Sequence, residues 1–237
     1  MLTSAVDWII FLLECFAIAS FAISGTISAI NKRADVFGAL IFAFVTSFGG
    51  GLMRDLIIGR TPPLLFTSME YAVLAAICFA VSLTVFLAAF IGNAAESLNA
   101  HAHSWLMEGS DMVGLAFFCI LGVDSVLNFP PVSGNAMLVI FCGCITGIGG
   151  GILRDVLSAQ IPLLFRKRIY FIPALLGTVC YYVLLSRIPR LAAILISVTV
   201  ILVLRILAVR FRWNLPTPLG RPHETTRSEK EEKEKRS

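Results

Sequence analysis

Two short blocks concentrate the residues that could do chemistry in an otherwise apolar chain. "FGGGLMRDLIIGR" runs from Phe48 to Arg60, and "IGGGILRDVLSAQ" runs from Ile148 to Gln160. Each sets a glycine triplet, Gly49 to Gly51 or Gly149 to Gly151, followed three residues later by an Arg-Asp pair, Arg54-Asp55 or Arg154-Asp155. Ionised side chains in hydrocarbon are costly unless paired or wetted, so they mark either an ion path or a staple between helices. The triplets are costly too: three glycines inside a helix give up about 3 kcal/mol against alanine. Close approach of a second helix offsets that cost, and Ala43-Ser47-Gly51 and Gly143-Gly147-Gly151 form small-residue stripes suited to it. Gly49, Gly50, Gly149 and Gly150 fall off those stripes. The triplets are therefore expected to kink or unwind their helices as well, freeing carbonyls around Val45 to Phe48 and Cys144 to Ile148 beside a wet cavity. The carbonyl end of a broken helix suits a cation, while the amides that follow suit an anion.

The charged residues add geometry. Neighbours on a helix point in different directions, so Arg54 and Asp55 are each expected to find a partner on another helix. Counted along their helices, Arg54 lies about 6 Å and Glu14 about 9 Å below the same surface. The expected pairs are Glu14 with Arg54 and, by repetition, Asp111 with Arg154. Asp55 and Asp155 then stay free to face a path, with the hydroxyls of Thr46, Ser47 and Thr146 as further candidates for cation contact. The alternative is that all these charges are locks that never meet a solute. Asp124, Glu70 and Glu108 fall nearer the interfaces, where solvated carboxylates are ordinary.

Several chemistries lack support. Neither glycine block leads into a phosphate-binding GK[ST] or a dinucleotide fingerprint, and no nucleophile, base and acid cluster, so the chain does not read as an enzyme. Cys15, Cys78, Cys119, Cys142, Cys144 and Cys180 fall in apolar runs and read as small hydrophobes; Cys142 and Cys144 lack a second ligand pair for a metal. His101 and His103 read as loop histidines, and no cofactor is expected.

The elements that position these residues follow from hydropathy. With 57% hydrophobic and 14% charged residues among 237 and a mean hydropathy of +0.86, the chain reads as an all-α polytopic membrane protein. Seven apolar runs long enough to cross about 30 Å of hydrocarbon fall near 8-30, 37-58, 69-91, 108-128, 136-157, 169-186 and 190-208. Asp7 is the only charge before the first, so a removable signal peptide is not expected.

Pro63-Leu64-Leu65-Phe66 matches Pro162-Leu163-Leu164-Phe165, and Tyr71 matches Tyr170. Upstream, Glu14 aligns with Asp111, Phe21 with Phe118 and Gly25 with Gly122. Helices 1 to 3 therefore repeat as helices 4 to 6, and an odd number of spans per unit inverts the second unit, leaving helix 7 over. The organisation is a first unit over 1-91, a connecting loop over 92-107, a second unit over 108-186, the seventh helix over 187-208 and a tail over 209-237. Residues 210-237 hold eight of the nineteen Lys and Arg residues and cannot build a core. The basic stretch leading into this segment, Arg205, Arg210 and Arg212, suits an anionic leaflet, and nucleic acid is not an expected partner. Lys32, Arg33, Arg166, Lys167, Arg168 and the tail fall on one side, against Arg60, Arg187 and Arg190 on the other. The N-terminus is accordingly placed outside and the C-terminus in the cytoplasm.

This doubled GGG-x-x-R-D with its P-L-L-F and tyrosine, set in a seven-span inverted repeat, resembles the prokaryotic branch of the trimeric intracellular cation (TRIC) channel family. Its members are also described by a bacterial domain named for glycine transport. The likeness covers about residues 8 to 208. It implies a homotrimer in an inner membrane, each protomer holding a pore bounded mainly by helices 1, 2, 4 and 5, with helices 2 and 5 kinked at their glycines. It further implies conduction of monovalent cations, potassium over sodium only weakly, with membrane lipid as a further partner. The family's pore positions carry over onto Gly49 to Gly51, Arg54 and Asp55, and onto Gly149 to Gly151, Arg154 and Asp155. The basic lipid-binding motif of the animal channels is not evident. A secondary transporter of glycine or a similar zwitterion stands as the alternative.

Overall fold

The computed structural model describes residues 5–67, 69–91, 100–162, 164 and 170–211, with side chains from 105 onward in the fourth helix. Seven helices carry the fold: α1 (Ala5–Asn31), α2 (Val36–Ile57), α3 (Met69–Ile91), α4 (Ala100–Leu127), α5 (Ala136–Leu157), α6 (Phe171–Leu184) and α7 (Arg190–Arg210). Six are long and apolar enough to cross a membrane, and α6 is a shorter apolar helix. The sixth run is thus less helical than expected, because the chain leaves the helix after Leu184 in turns that reach Ile188, ahead of the Pro189 that precedes α7. The loop segment 92-99, the basic residues Arg166, Lys167 and Arg168, the side chains of His101 and His103, and the tail from 212 lie outside the described residues.

Local sequence sets the ends of α2 and α5 in the same way. Asp35 caps α2 by accepting from the Gly38 amide at 2.7 Å, and Asn135 caps α5 by accepting from the Leu138 amide at 3.1 Å. Both helices close in the same C-terminal motif, with Arg60 N donating to Asp55 O at 2.9 Å and Gln160 N to Asp155 O at 3.0 Å. That motif needs one left-handed residue, supplied by Gly59 (φ 69°) in the first copy and Ala159 (φ 51°) in the second. Identical caps put Arg54-Asp55 and Arg154-Asp155 in the last turns of their helices.

Packing repeats in the same manner. Helix α1 packs on α2 and α3, and α4 packs on α5 and α6; α1 meets α4 and α2 meets α5 across the middle. The α2–α5 crossing is antiparallel and reciprocal, because a Cβ on Gly50 would overlap the Thr146 carbonyl and a Cβ on Gly150 would overlap the Thr46 carbonyl. Helix α7 breaks the symmetry by lying on α4 and α6. Burial follows that arrangement: α4 is 67% buried over its membrane window while α3 is 17% buried, leaving Val73, Phe79, Leu83 and Leu87 facing outward, as lipid-facing residues do. Asp7 near the start of α1 lies 3.8 Å from Arg190 at the start of α7, so α1 begins at one end of the bundle and α7 finishes at the other.

Candidate functional site

The glycine triplets do not unwind their helices. Both α2 and α5 stay helical from their caps through Gly49–Gly51 and Gly149–Gly151, so the carbonyls of Val45 to Phe48 and Cys144 to Ile148 are not released as expected. The glycines that the stripes left without a reason turn out to be the contact itself. Gly50 and Gly150 lie where each backbone touches the other, and a Cβ on Gly49 would come 2.5 Å from Leu153 Cδ1, one on Gly149 3.0 Å from Met53 Sδ. The stripe glycines serve other neighbours, Gly147 meeting Leu115 and Cys119 of α4. A single crossing therefore uses more than one face of each triplet, which a count of helix positions alone does not reveal.

One charged cluster sits where α5 ends and α4 begins. Arg154, fully buried, donates through Nη1 to Asp111 Oδ1 at 2.7 Å, the cross-helix pair expected from the repeat. The same guanidinium donates to Asp155 Oδ1 at 2.9 Å from Nε and 2.8 Å from Nη2, and to the Ser24 hydroxyl of α1. Asp111 also accepts from the Tyr170 hydroxyl at 2.7 Å. Arg205 lies over the Tyr170 ring at 4.1 Å and approaches Asp111 Oδ2 at 3.8 Å. It therefore belongs to the interior of α7 and this cluster, not to the basic start of a tail on the leaflet, as the sequence was read. Burying two carboxylates and two guanidiniums together leaves no net charge, which is what makes such burial tolerable.

The equivalent residues at the opposite end of the bundle are arranged otherwise. Arg54 does not pair with Glu14 as expected; it turns back on Asp55, with Nε and Nη2 both 2.9 Å from Oδ1. The expectation failed because an arginine is long enough to reach an adjacent carboxylate even when the two Cβ atoms point apart. Asp55 is not free to face a path either, since it also accepts from Arg60 Nη1 at 3.4 Å and from the Leu64 amide at 2.9 Å. Asp155 is held in turn by Arg154. Arg60 bridges onward to Ser125 of α4 at 3.2 Å and lies over the Phe129 ring at 4.5 Å. Burial lowers the pKa of Arg60, and Asp55 opposes that shift.

Between these elements lies a cavity of about 50 Å³, room for a few waters. Glu14, Ser47, Arg54, Asp55, Tyr71 and Thr146 are its polar lining, contributed by α1, α2, α3 and α5, and α4 adds Phe118, Leu121 and Gly122. Among the described residues Glu14 makes no ion pair and no side-chain hydrogen bond, although Arg54 shares its cavity. The hydroxyls are largely committed: Thr46 donates to Phe42 O at 2.6 Å, Thr146 to Cys142 O at 2.7 Å and Ser47 to Ile18 O at 3.2 Å. Of these three, Ser47 and Thr146 reach the cavity and Thr46 does not.

A model of the family described as "Glycine transporter" matches residues 11–89 and 109–186, the two three-helix units in turn. The chain belongs to this family. It is 31% identical over 213 residues to the UPF0126 inner membrane protein YadS of Escherichia coli K12, covering 88% of this chain and 96% of that one. Among solved structures it is similar to the trimeric intracellular cation channel orthologue from Rhodobacter sphaeroides, with TM-score 0.74, 28% identity and coverage of 86% and 98%. It is also similar to a prokaryotic TRIC channel crystallised in 0.5 M KCl, with TM-score 0.76, 30% identity and coverage of 88% and 99%. These neighbours are channels rather than enzymes.

The doubled motif of this chain accounts for Arg54, Asp55, Arg154 and Asp155 but not for the charged contacts beyond them. Asp124, read as an ordinary interfacial carboxylate, accepts from the Tyr181 hydroxyl at 2.7 Å and from Arg190 Nε at 2.8 Å, and Arg190 also lies 3.8 Å from Asp7. Tyr170 was legible as a repeat of Tyr71, whereas Arg205 was read as part of the basic start of the tail. Asp124 with Arg190 carried no such signal, because α7 stands outside the repeat.

Proposed function

We propose that the protein is a monovalent-cation channel of the prokaryotic inner membrane, potassium-permeable, with one conducting path inside each protomer of a homotrimer. The observation that carries this reading is the polar cavity at the meeting of α1, α2, α4 and α5, beside the α2–α5 glycine crossing, in a fold whose solved neighbours are cation channels. In this reading Glu14, Ser47, Thr146 and the Arg54–Asp55 pair line the first half of the path. The Asp111–Arg154–Asp155 cluster forms its far end, and the two triplets hold the neck between them. The N-terminus faces outward and the C-terminus the cytoplasm, with lipid around the trimer. Purified protein in a planar bilayer under asymmetric potassium chloride is expected to give unitary currents reversing toward the potassium potential. Absence of any current would remove the reading.

One observation favours a second reading, secondary transport of glycine or a similar zwitterion. The cavity offers the Glu14 carboxylate and the Arg54 guanidinium together, matching the two charged ends of an amino acid. Saturable, gradient-coupled glycine uptake into vesicles without unitary currents would establish it.

A further inference from the structure

We infer that Glu14 is the residue that sets the preference for cations over anions; this rests on the channel reading above. The two ends of the inverted repeat place a carboxylate at the same position, Asp111 on α4 and Glu14 on α1, and the surroundings differ. Asp111 is met by the Arg154 guanidinium and the Tyr170 hydroxyl, both at 2.7 Å, with Arg205 at 3.8 Å, so its charge is spent inside the protein. Glu14 lines the cavity with no ion pair or side-chain hydrogen bond among the described residues. The surplus positive charge of the two arginines that share Asp55 falls on Arg60, which is not on the cavity lining and reaches Ser125 and the Phe129 ring. Arg54 is bound to Asp55 at 2.9 Å, Arg60 reaches the same carboxylate at 3.4 Å, and Arg190 is taken by Asp124. With Arg54 and Asp55 neutralising one another, the ionisable group left unpaired on the cavity lining is the Glu14 carboxyl.

A lone carboxylate in a cavity with apolar walls acts on a permeant ion at short range and with little screening. It attracts a partly dehydrated cation and repels an anion, and the waters the cavity can hold keep the passage from becoming a trap. Phe48, Leu65, Leu74 and Phe118 supply the apolar wall. Among the charged groups on the lining, Glu14 is the one that makes no ion pair or side-chain hydrogen bond with the described residues.

The test is the permeability ratio of potassium to chloride, read from reversal potentials of the full chain in bilayers under a potassium chloride gradient. Glu14→Gln is expected to lower that ratio at least about fivefold, the effect of one unit charge about 4 Å away under water-like screening. Glu14→Asp is expected to keep most of it. Glu14→Cys should behave as Glu14→Gln, and a negatively charged thiosulfonate reagent should restore the ratio on that variant while leaving wild type unchanged. The cysteine variant also keeps the inference open to refutation if the glutamine variant does not fold. A conducting Glu14→Gln or Glu14→Cys channel with the wild-type ratio overturns the inference and leaves the channel reading intact. A wild-type chain that passes no current overturns both.

Discussion

Asp111, Arg154, Asp155 and Tyr170 close on one another at one end of the bundle, whereas their counterparts Glu14, Arg54, Asp55 and Tyr71 line a cavity at the other. The residue types are nearly the same, and so are the helix caps that position the Arg-Asp pairs. What differs is the company. Helix α7 lies on α4 and α6, bringing Arg205 to the closed cluster, while toward the first unit its Arg190 lies 3.8 Å from Asp7. Arg60, where the second unit has Gln160, draws Asp55 toward itself and Ser125. Repeated sequence therefore does not give repeated energetics once an unrepeated helix packs on one copy only.

The comparison can be broken most sharply at the arginines. Arg154→Met removes the hub of a fully buried cluster and is expected to cost about 3–5 kcal/mol, because two buried carboxylates lose their main partner. Arg54→Met should cost clearly less, since Asp55 keeps Arg60 and the Leu64 amide. Equal losses of thermal unfolding midpoint in detergent would show that the two ends are not different in kind.

The glycine crossing should behave alike in both units. Gly50→Ala and Gly150→Ala each drive a methyl into a facing carbonyl, and similar losses of about 1–3 kcal/mol are expected from the forced separation of α2 and α5. Chemical denaturation of the two variants in mixed micelles would expose any asymmetry in the neck.

At the tyrosines the ends should part again. Tyr170→Phe deletes a 2.7 Å bond to a buried carboxylate and is expected to cost about 1–3 kcal/mol. Tyr71→Phe, which loses no hydrogen bond found among the described residues, should stay within about 0.5 kcal/mol of wild type in the same melting assay.

The smallest contrast is at the last glycine of each triplet. The nearest atom to a Cβ on Gly51 is Arg54 Nη2 at 3.8 Å, so Gly51→Ala is expected to stabilise by up to about 1 kcal/mol through helix propensity. A Cβ on Gly151 meets Tyr170 Oη at 3.2 Å and Asp111 Oδ1 at 3.3 Å, so Gly151→Ala should lose that gain. Paired melting curves showing the same shift for both would argue that the Gly151 neighbourhood is no tighter than that of Gly51.

Much of the fold was legible because hydrocarbon imposes it. The runs at 69-91 and 136-157 coincide with α3 and α5, and the others differ at their ends or, for α6, in length. The Asp111–Arg154 pair was legible too, since the repeat brings these two opposite charges to one end of the bundle. The Glu14–Arg54 pair and the free aspartates were not, because reach along a flexible arginine and the arrival of Arg60 and Leu64 are matters of tertiary placement. The triplets misled for a related reason: a helix wheel shows which face a glycine occupies but not how obliquely a second helix crosses it.

By itself the sequence determined seven apolar segments, their pairing into an inverted repeat and the depths of the repeated charges. All three follow from the period of the helix and the cost of burying charge in lipid. Only the tertiary structure decided that the triplets stay helical and touch, that the charges close at one end, and that Glu14 is left facing a cavity at the other. Those outcomes depend on which side chains arrive from elsewhere in the chain, above all from α7, and no local spacing encodes that arrival.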